Sequence, residues 1–345
     1  MNMPIGTFAP NLARKLEAGI ESGLLINIHA VAVGHRGRTI LERYASGPDE
    51  NWGTPLGIVQ HSADTLHDLR SVTKSILSLL YGIALDRGLV PPPEAPLLAQ
   101  FQDYPDLAAD PARAGLRIHH ALSMTMGLEW DEHSRPYTDP LNSEIAMEAA
   151  PDRYRFILGR PIVDEPGKRW VYSGGAVALI GALIARGTGQ SLDAFAREVL
   201  FTPLGIAQFG WSRGRDGVLS AASGLRLTAP DLLKIGTMLL DGGTWQGKRI
   251  VSTAWLDQSF KPQIPTGDGW HYGYFWFLGE ADHPGSAKPP RRWMGGLGNG
   301  GQRLWLQPDS GIAAVHFSGA YNTPDSWVTP MRVWREIVLA NFSES

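Results

Sequence analysis

Ser71-Val72-Thr73-Lys74-Ser75 opens a stretch, Ser71 to Arg87, in which Ile76, Leu77, Leu79, Leu80, Ile83, Ala84 and Leu85 fall on nearly every side of a helix before Gly88 stops it. A helix that is apolar all round is buried all round, so this one is expected between layers. Its first turn also carries chemistry. A spacing of three puts Ser71 and Lys74 on one helix face within reach of each other. A lysine placed there loses solvation and faces the positive end of the helix dipole, and both effects favour the neutral amine that can take a serine proton. One Ser-x-x-Lys arises by composition alone in a chain of 345 residues, and most such lysines are solvated. The weight therefore lies on context: the serine opens a helix after the loop His67-Asp68-Leu69-Arg70, and that helix has nowhere solvated to put Lys74.

Upstream of this helix, Ala30 to Gly34 and Thr39 to Tyr44 are short β-rich runs joined by His35-Arg36-Gly37-Arg38, a hairpin signal. Gly47 to Gly57 reads as a Gly/Pro-rich excursion. From about residue 90 to 205 the apolar segments are helical in period and broken by prolines, with little that alternates as a strand does. Thr228 to Leu240 is a further helix, with Thr228 as N-cap and Pro230 in its first turn. Tyr272 to Leu278, Arg303 to Gln307 and Ile312 to Phe317 read as strands, and Trp327 to Phe342 as a covering helix. The expected fold class is α+β: an antiparallel β-sheet flanked by helices, built from residues 1–70 and 206–345, with residues 71–205 inserted as a mainly helical domain.

Composition removes several function classes. A net charge of −3 leaves no basic excess to neutralise a phosphate backbone, so nucleic acid is not an expected partner. The absence of cysteine excludes disulfides, thiolate catalysis and Cys-ligated metals. The histidines show no His-Glu-x-x-His, and the pair His119-His120 is expected to point to opposite sides of its element, so no metal site is expected. Residues 1 to 25 contain no charged segment followed by an apolar one, which makes the cytoplasm the default location. The longest apolar stretch, Ala176 to Ala185, is about half the ~20 residues that span a bilayer, so no membrane span is read. The sequence does not reveal an oligomeric state; a homodimer is compatible with it.

Two further stations follow. Tyr172 lies between Glu165-Pro166-Gly167 and Ser173-Gly174-Gly175, at the mouth of a turn into the apolar helix. It reads either as a group that shares the Ser71 proton and hands it to a leaving group, or as a core tyrosine with a satisfied hydroxyl. Gly295-Gly296-Leu297-Gly298-Asn299-Gly300-Gly301-Gln302 precedes a strand, and its glycines either let backbone approach a ligand closely or make a plain turn.

Taken in order, with Met126-Gly127-Leu128, Pro166-Gly167 before Tyr172-Ser173-Gly174, and Gly300-Gly301-Gln302, these stations resemble the serine β-lactamase and penicillin-binding protein superfamily. The similarity is to its class C-related branch, with family VIII carboxylesterases and 6-aminohexanoate-dimer hydrolases, and covers roughly residues 25 to 340. The resemblance implies a sheet domain and a helical domain with the active site in the groove between them. It implies Ser71 as acylated nucleophile, Lys74 as base and Tyr172 in the place of the Tyr-x-Asn tyrosine. Gly174 stands where that motif has asparagine, so the amide contact of the asparagine is missing. For the third motif, Lys-Thr-Gly in β-lactamases, two registers fit, Trp293-Met294-Gly295 or Gly296-Leu297-Gly298, the second preferred. By it the backbone N–H groups of Ser71 and Asn299 form the oxyanion hole, with Gly298 and Gly300 beside the substrate. Neither register offers a lysine or hydroxyl for a substrate carboxylate. Trp130 and Tyr137 resemble part of a loop over the site; they either line the acyl pocket or, for Tyr137, donate to an amide leaving nitrogen.

The expected activity is hydrolysis of a small ester through an acyl-enzyme, with no metal or organic cofactor. Short linear amides rank second, and β-lactam or D-aminopeptidase-type chemistry third. A penicillin-sensor-like binding module is the non-enzyme alternative. Gly210-Trp211-Ser212-Arg213-Gly214 fits the Gly-x-Ser-x-Gly nucleophile elbow of α/β-hydrolases, but Pro203 and Gly205 before it and Gly214-Arg215-Asp216-Gly217 after it argue against the strand and helix an elbow needs.

Overall fold

In the computed structural model, which describes residues 6–284 and 288–344, the stretch that opened the sequence reading is the α-helix Val72–Asp86, with Ser71 at its N-cap and every residue from Val72 to Ala84 buried. It is buried because it lies between two layers. On one side is the second all-apolar helix, Gly174–Thr188, which Ser173 caps by accepting from the Ala176 N–H at 3.1 Å and which ends at Gly189 in the left-handed conformation. On the other side is the sheet.

That sheet has eight antiparallel strands in the spatial order Ile264–Pro265, His271–Tyr272, Phe277–Ala281, Arg291–Gly298, Gln302–Gln307, Ile312–Ser318, Ile28–His35 and Arg38–Tyr44. The two ends of the chain meet in the pairing of Ile312–Ser318 with Ile28–His35, so the early and late sheet segments form one layer, as the α+β expectation required. Alternation along the strands feeds two cores. Ala30, Ala32, Leu304, Leu306, Ala313 and Val315 face the helices Val72–Asp86 and Ala229–Leu240. Val31, Val33, Trp305 and Ala314 face the terminal helices on the opposite side, where Trp305 and Trp334 stack with centroids 5.3 Å apart.

Three sequence expectations are corrected. Gly47 to Gly57 is not an irregular excursion but the hairpin Ser46–Asn51 with Thr54–Gln60, turned by Trp52 (φ 47°) and Gly53 (φ 87°), the two positive φ values of a right-twisting tight turn. Tyr272 to Leu278 is two strands, His271–Tyr272 and Phe277–Ala281, split by a turn in which Phe275 has φ 62°. The glycine run is half strand: Arg291–Gly298 pairs along its length, and only Asn299 to Gly301 turn, Gly300 and Gly301 having φ 82° and 96°. Gly296 is required because the helix Val72–Asp86 crosses there; a Cβ would lie 2.9 Å from Ser75 Oγ. The close approach predicted from the glycines exists, but at Gly296 it is helix to strand.

Candidate active site

Ser71 stands at a junction held from several sides. The short strand His67–Asp68 pairs with Leu225–Leu227, and the Leu69 N–H continues this ladder to Leu225 O at 3.0 Å. Arg70 then adopts φ 47°, a left-handed backbone that costs a non-glycine residue of order 1 kcal/mol or more. Its guanidinium is paired with Glu50 and lies 4.8 Å from the Tyr321 ring centroid. The strain turns the chain sharply enough for Ser71 to begin a helix directly after a strand.

Lys74 is 2 % exposed. Its Nζ donates to Ser71 Oγ at 2.9 Å and to Ala222 O at 2.9 Å, and lies 4.8 Å from the centroid of the Tyr172 ring. The Tyr172 side chain lies beside Ser71. Burial, then the nearby Glu132 carboxyl, push the Tyr172 phenol well above its ordinary pKa, outweighing the lowering by the Ser71 hydroxyl. The ring is wedged by His133, stacked at 4.9 Å, and by Trp170 and Phe277. Ser71, Lys74 and Tyr172, up to 101 residues apart in sequence, thus meet in one cluster.

Ser71 opens onto a cleft of about 510 Å³, lined also by Tyr137, Asn299, Trp52, Arg70 and Glu144. Two of the expected substrate-side residues, Tyr137 and Asn299, are therefore at this cleft. Asn299 is held by reciprocal bonds with Asn322, its Nδ2 donating to Asn322 Oδ1 at 3.1 Å and its Oδ1 accepting from the Asn322 N–H at 2.8 Å. Gly298 abuts the backbone before Ser71, and Gly300 packs under Tyr321. Trp130 and Trp293 are elsewhere. Trp130 is buried against Gly175 with its Nε1 on Glu132, and Trp293 faces the opposite core, edge-on to Trp270 at 5.1 Å. Strand alternation sends Trp293 away from the face on which the helix Val72–Asp86 lies.

With this geometry in view, the sequence matches the family described as Beta-lactamase across residues 25–333. The chain belongs to the beta-lactamase family. Within this family of serine hydrolases it is 30% identical over 212 residues to Esterase EstB of Burkholderia gladioli, covering 59% of this chain and 52%, about half, of that relative's length. It is 23% identical over 348 residues to the 6-aminohexanoate-dimer hydrolase of Paenarthrobacter ureafaciens, covering 93% of this chain and 78% of the relative. The solved structure of EstCE1, described as a hydrolase with promiscuous acyltransferase activity, superposes with a TM-score of 0.71 at 18% identity over 95% of this chain and 97% of that one. That last likeness carries the fold alone.

What the sequence reading of this beta-lactamase-family chain missed is a pair of carboxylates behind the cluster. Glu132 is fully buried, its Oε1 accepting from Trp130 Nε1 at 3.0 Å and from the Gly174 N–H at 2.5 Å, while Oε2 has no hydrogen-bond partner. Burial first, and the neighbouring Glu144 second, push its carboxyl up to about 8, with Lys74 opposing. Gly174 is the reason the pair fits. A Cβ there would stand 2.7 Å from Glu132 Oε1 and 2.9 Å from Glu144 Oε1. The missing asparagine of the Tyr-x-Asn motif was the available signal: where that side chain is absent, another polar group fills the space, and two glutamates twelve residues apart do so here.

The elbow-like Ser212 has the wrong setting, as expected. It follows the two-residue strand Gly210–Trp211, its N–H and C=O are tied to Gly224 and Ser220, and no helix follows. The rings of His119 and His120, expected on opposite sides, instead lie with centroids 4.0 Å apart, because His120 turns back to accept from the Arg117 N–H at 3.1 Å. Among the described residues no helix is long and apolar enough to cross a membrane.

Proposed function

We propose that this beta-lactamase-family protein hydrolyses small carboxylic esters through an acyl-enzyme on Ser71. The observation that carries the reading is the cluster itself: a buried lysine nitrogen 2.9 Å from Ser71 Oγ and a tyrosine beside the same serine, at the mouth of a cleft. As Oγ attacks the ester carbonyl, its proton passes to Lys74 Nζ. Charge on the carbonyl oxygen is met by the backbone N–H groups of Ser71 and Asn299, donors typically worth several kcal/mol of barrier. Tyr172, held neutral by burial, gives its proton to the departing alkoxide as the C–O bond breaks and is reprotonated by way of Lys74. Water then attacks the acyl carbon by the reverse relay and frees Ser71.

A second reading, hydrolysis of short linear amides bearing a free amine, is favoured by the acidic side of the cleft. Glu144 lines it with no ion-pair partner among the described residues, alongside Glu148 and Glu50, and one relative is named for the 6-aminohexanoate dimer. β-Lactams rank below both, because Gly296-Leu297-Gly298 supplies no cation for a carboxylate.

The test is peptide mapping by mass spectrometry after a serine-reactive phosphonate, beside turnover of p-nitrophenyl acetate and butyrate by Ser71→Ala and Ser212→Ala. Label on Ser71 and a dead Ser71→Ala variant are expected. Label on Ser212 overturns the assignment, and no label with no turnover favours a binding module.

A further inference from the structure

A second buried polar cluster lies on the other side of the strap that leads into Ser71. His29 comes from the strand Ile28–His35, Asp49 from the hairpin strand Ser46–Asn51, His61 from the segment after that hairpin, and His67 from the strand His67–Asp68. One donor atom from each lies within 4.8 Å of every other, and all four residues are at least nine-tenths buried. His61 Nε2 is buried and has no hydrogen-bond partner; Asp49 Oδ2 has no hydrogen bond either, its nearest charged group being the Arg226 guanidinium at 3.8 Å. An unsatisfied buried polar atom costs about 1–3 kcal/mol, so the bare His61 nitrogen within this donor set calls for a ligand.

We propose that His29, Asp49, His61 and His67 form a four-coordinate zinc site that anchors the strap preceding Ser71. The donor set is three imidazoles and one carboxylate, the hard-to-borderline N/O set that suits Zn²⁺, and four protein donors make a closed, structural site. Zinc–nitrogen bonds of about 2.0–2.1 Å place tetrahedral donors roughly 3.3 Å apart. Here His29 Nδ1 and His67 Nε2 are 2.9 Å apart, and His67 Nε2 is 3.7 Å from Asp49 Oδ1. These two spacings lie near the ideal, the donor atoms of the whole set lie within 4.8 Å of one another, and the His61 ring, stacked on His29 with centroids 4.1 Å apart, turns for its nitrogen to join one ion.

The surroundings have the form that orients metal ligands. His67 Nδ1 donates to Asp68 O at 3.0 Å, which leaves its Nε2 as the lone-pair nitrogen facing the cluster. Tyr321 donates to Asp49 Oδ1 at 2.8 Å, and Phe317 stacks on His67 at 4.6 Å. Gly319 leaves space for the His29 ring, since a Cβ there would stand 2.6 Å from its Nε2. The ion would tie the central sheet, the hairpin and the strap His67 to Arg70 together, four residues before Ser71.

The experiment uses tag-free full-length protein, stripped with a chelator and dialysed. Elemental analysis before stripping is expected to find about one zinc per chain. The stripped protein is expected to take up one Co²⁺ with the intense visible bands of a four-coordinate N/O site, and its melting temperature to rise on adding zinc. His61→Gln is expected to weaken uptake by more than the about 10–100-fold that loss of an outer partner costs, as is Asp49→Asn. Failure of the wild-type protein to bind Co²⁺ or Zn²⁺ at micromolar concentrations overturns the proposal, as does uptake unchanged in His61→Gln. The wild-type titration stands even where a variant fails to fold, and phosphonate labelling of Ser71 is read separately.

Discussion

The two buried polar clusters flanking Ser71 are built on the same device and filled with opposite chemistry. On the helical side, Gly174 makes room for Glu132 and Glu144 beside Lys74 and Tyr172. On the sheet side, Gly319 makes room for His29 among His61, His67 and Asp49. In both, the missing Cβ is occupied by a polar side chain from a distant part of the chain. The difference lies in what relieves the burial. The carboxyl groups lie by Lys74 and a cleft that admits water and substrate. The imidazoles face one another in a closed space, which is why a metal ion is the natural occupant there and a reacting molecule is natural at the other.

The contrast is broken most strongly at Lys74. Lys74→Met is expected to lower esterase turnover by about 10³-fold or more while leaving the melting temperature unchanged or higher, because a buried polar nitrogen is replaced by an apolar chain of similar shape. A comparable drop in stability would mean that Lys74 is structural.

The glycines come next. Gly319→Ala brings a methyl against Pro48 O as well as His29, and Gly174→Ala brings one against two glutamate ends. Each is expected to cost about 1–3 kcal/mol in denaturant unfolding, with Gly319→Ala the larger because backbone cannot swing aside as a glutamate can. Equal effects, or none, would deny that these positions are slots.

A smaller effect separates the clusters by pH. A Glu132 carboxyl raised from 4.5 to about 8 makes the folded state the better proton binder between those values. Its contribution to stability is full below 4.5 and is lost as pH rises through 8. Glu132→Gln is expected to flatten the decline of melting temperature over that window; an unchanged slope would place the titration elsewhere. The smallest change is Trp52→Phe, which removes the 3.0 Å bond from Nε1 to Ser223 Oγ at the cleft edge. It is expected to cost about 0.5–1.5 kcal/mol and to alter KM more than kcat.

Much of this was legible in the chain. The helix Val72–Asp86 was readable because its apolar residues leave no polar face, and Ser71 with Lys74 because three residues is a helical spacing. Tyr172 was readable only through the order of motifs, since nothing local distinguishes it from a core tyrosine. The hairpin Ser46–Asn51 with Thr54–Gln60 was hidden because its prolines and glycines weigh against strand. Trp130 and Trp293 were misplaced because proximity in sequence to a site says nothing about which face of a strand or turn the ring takes.

Periodicity, capping and motif spacing are local properties, and they sufficed for the α+β class, the buried helix and the pairing of Ser71 with Lys74, while Tyr172 needed the resemblance carried by the order of motifs. Glu132 with Glu144, and His29, Asp49, His61 and His67, became clusters only when the sheet and helical layers closed, because their donors belong to separate segments whose meeting is set by packing. The space that admits each cluster is the absent Cβ of a glycine, a group the sequence names without saying what will stand in its place.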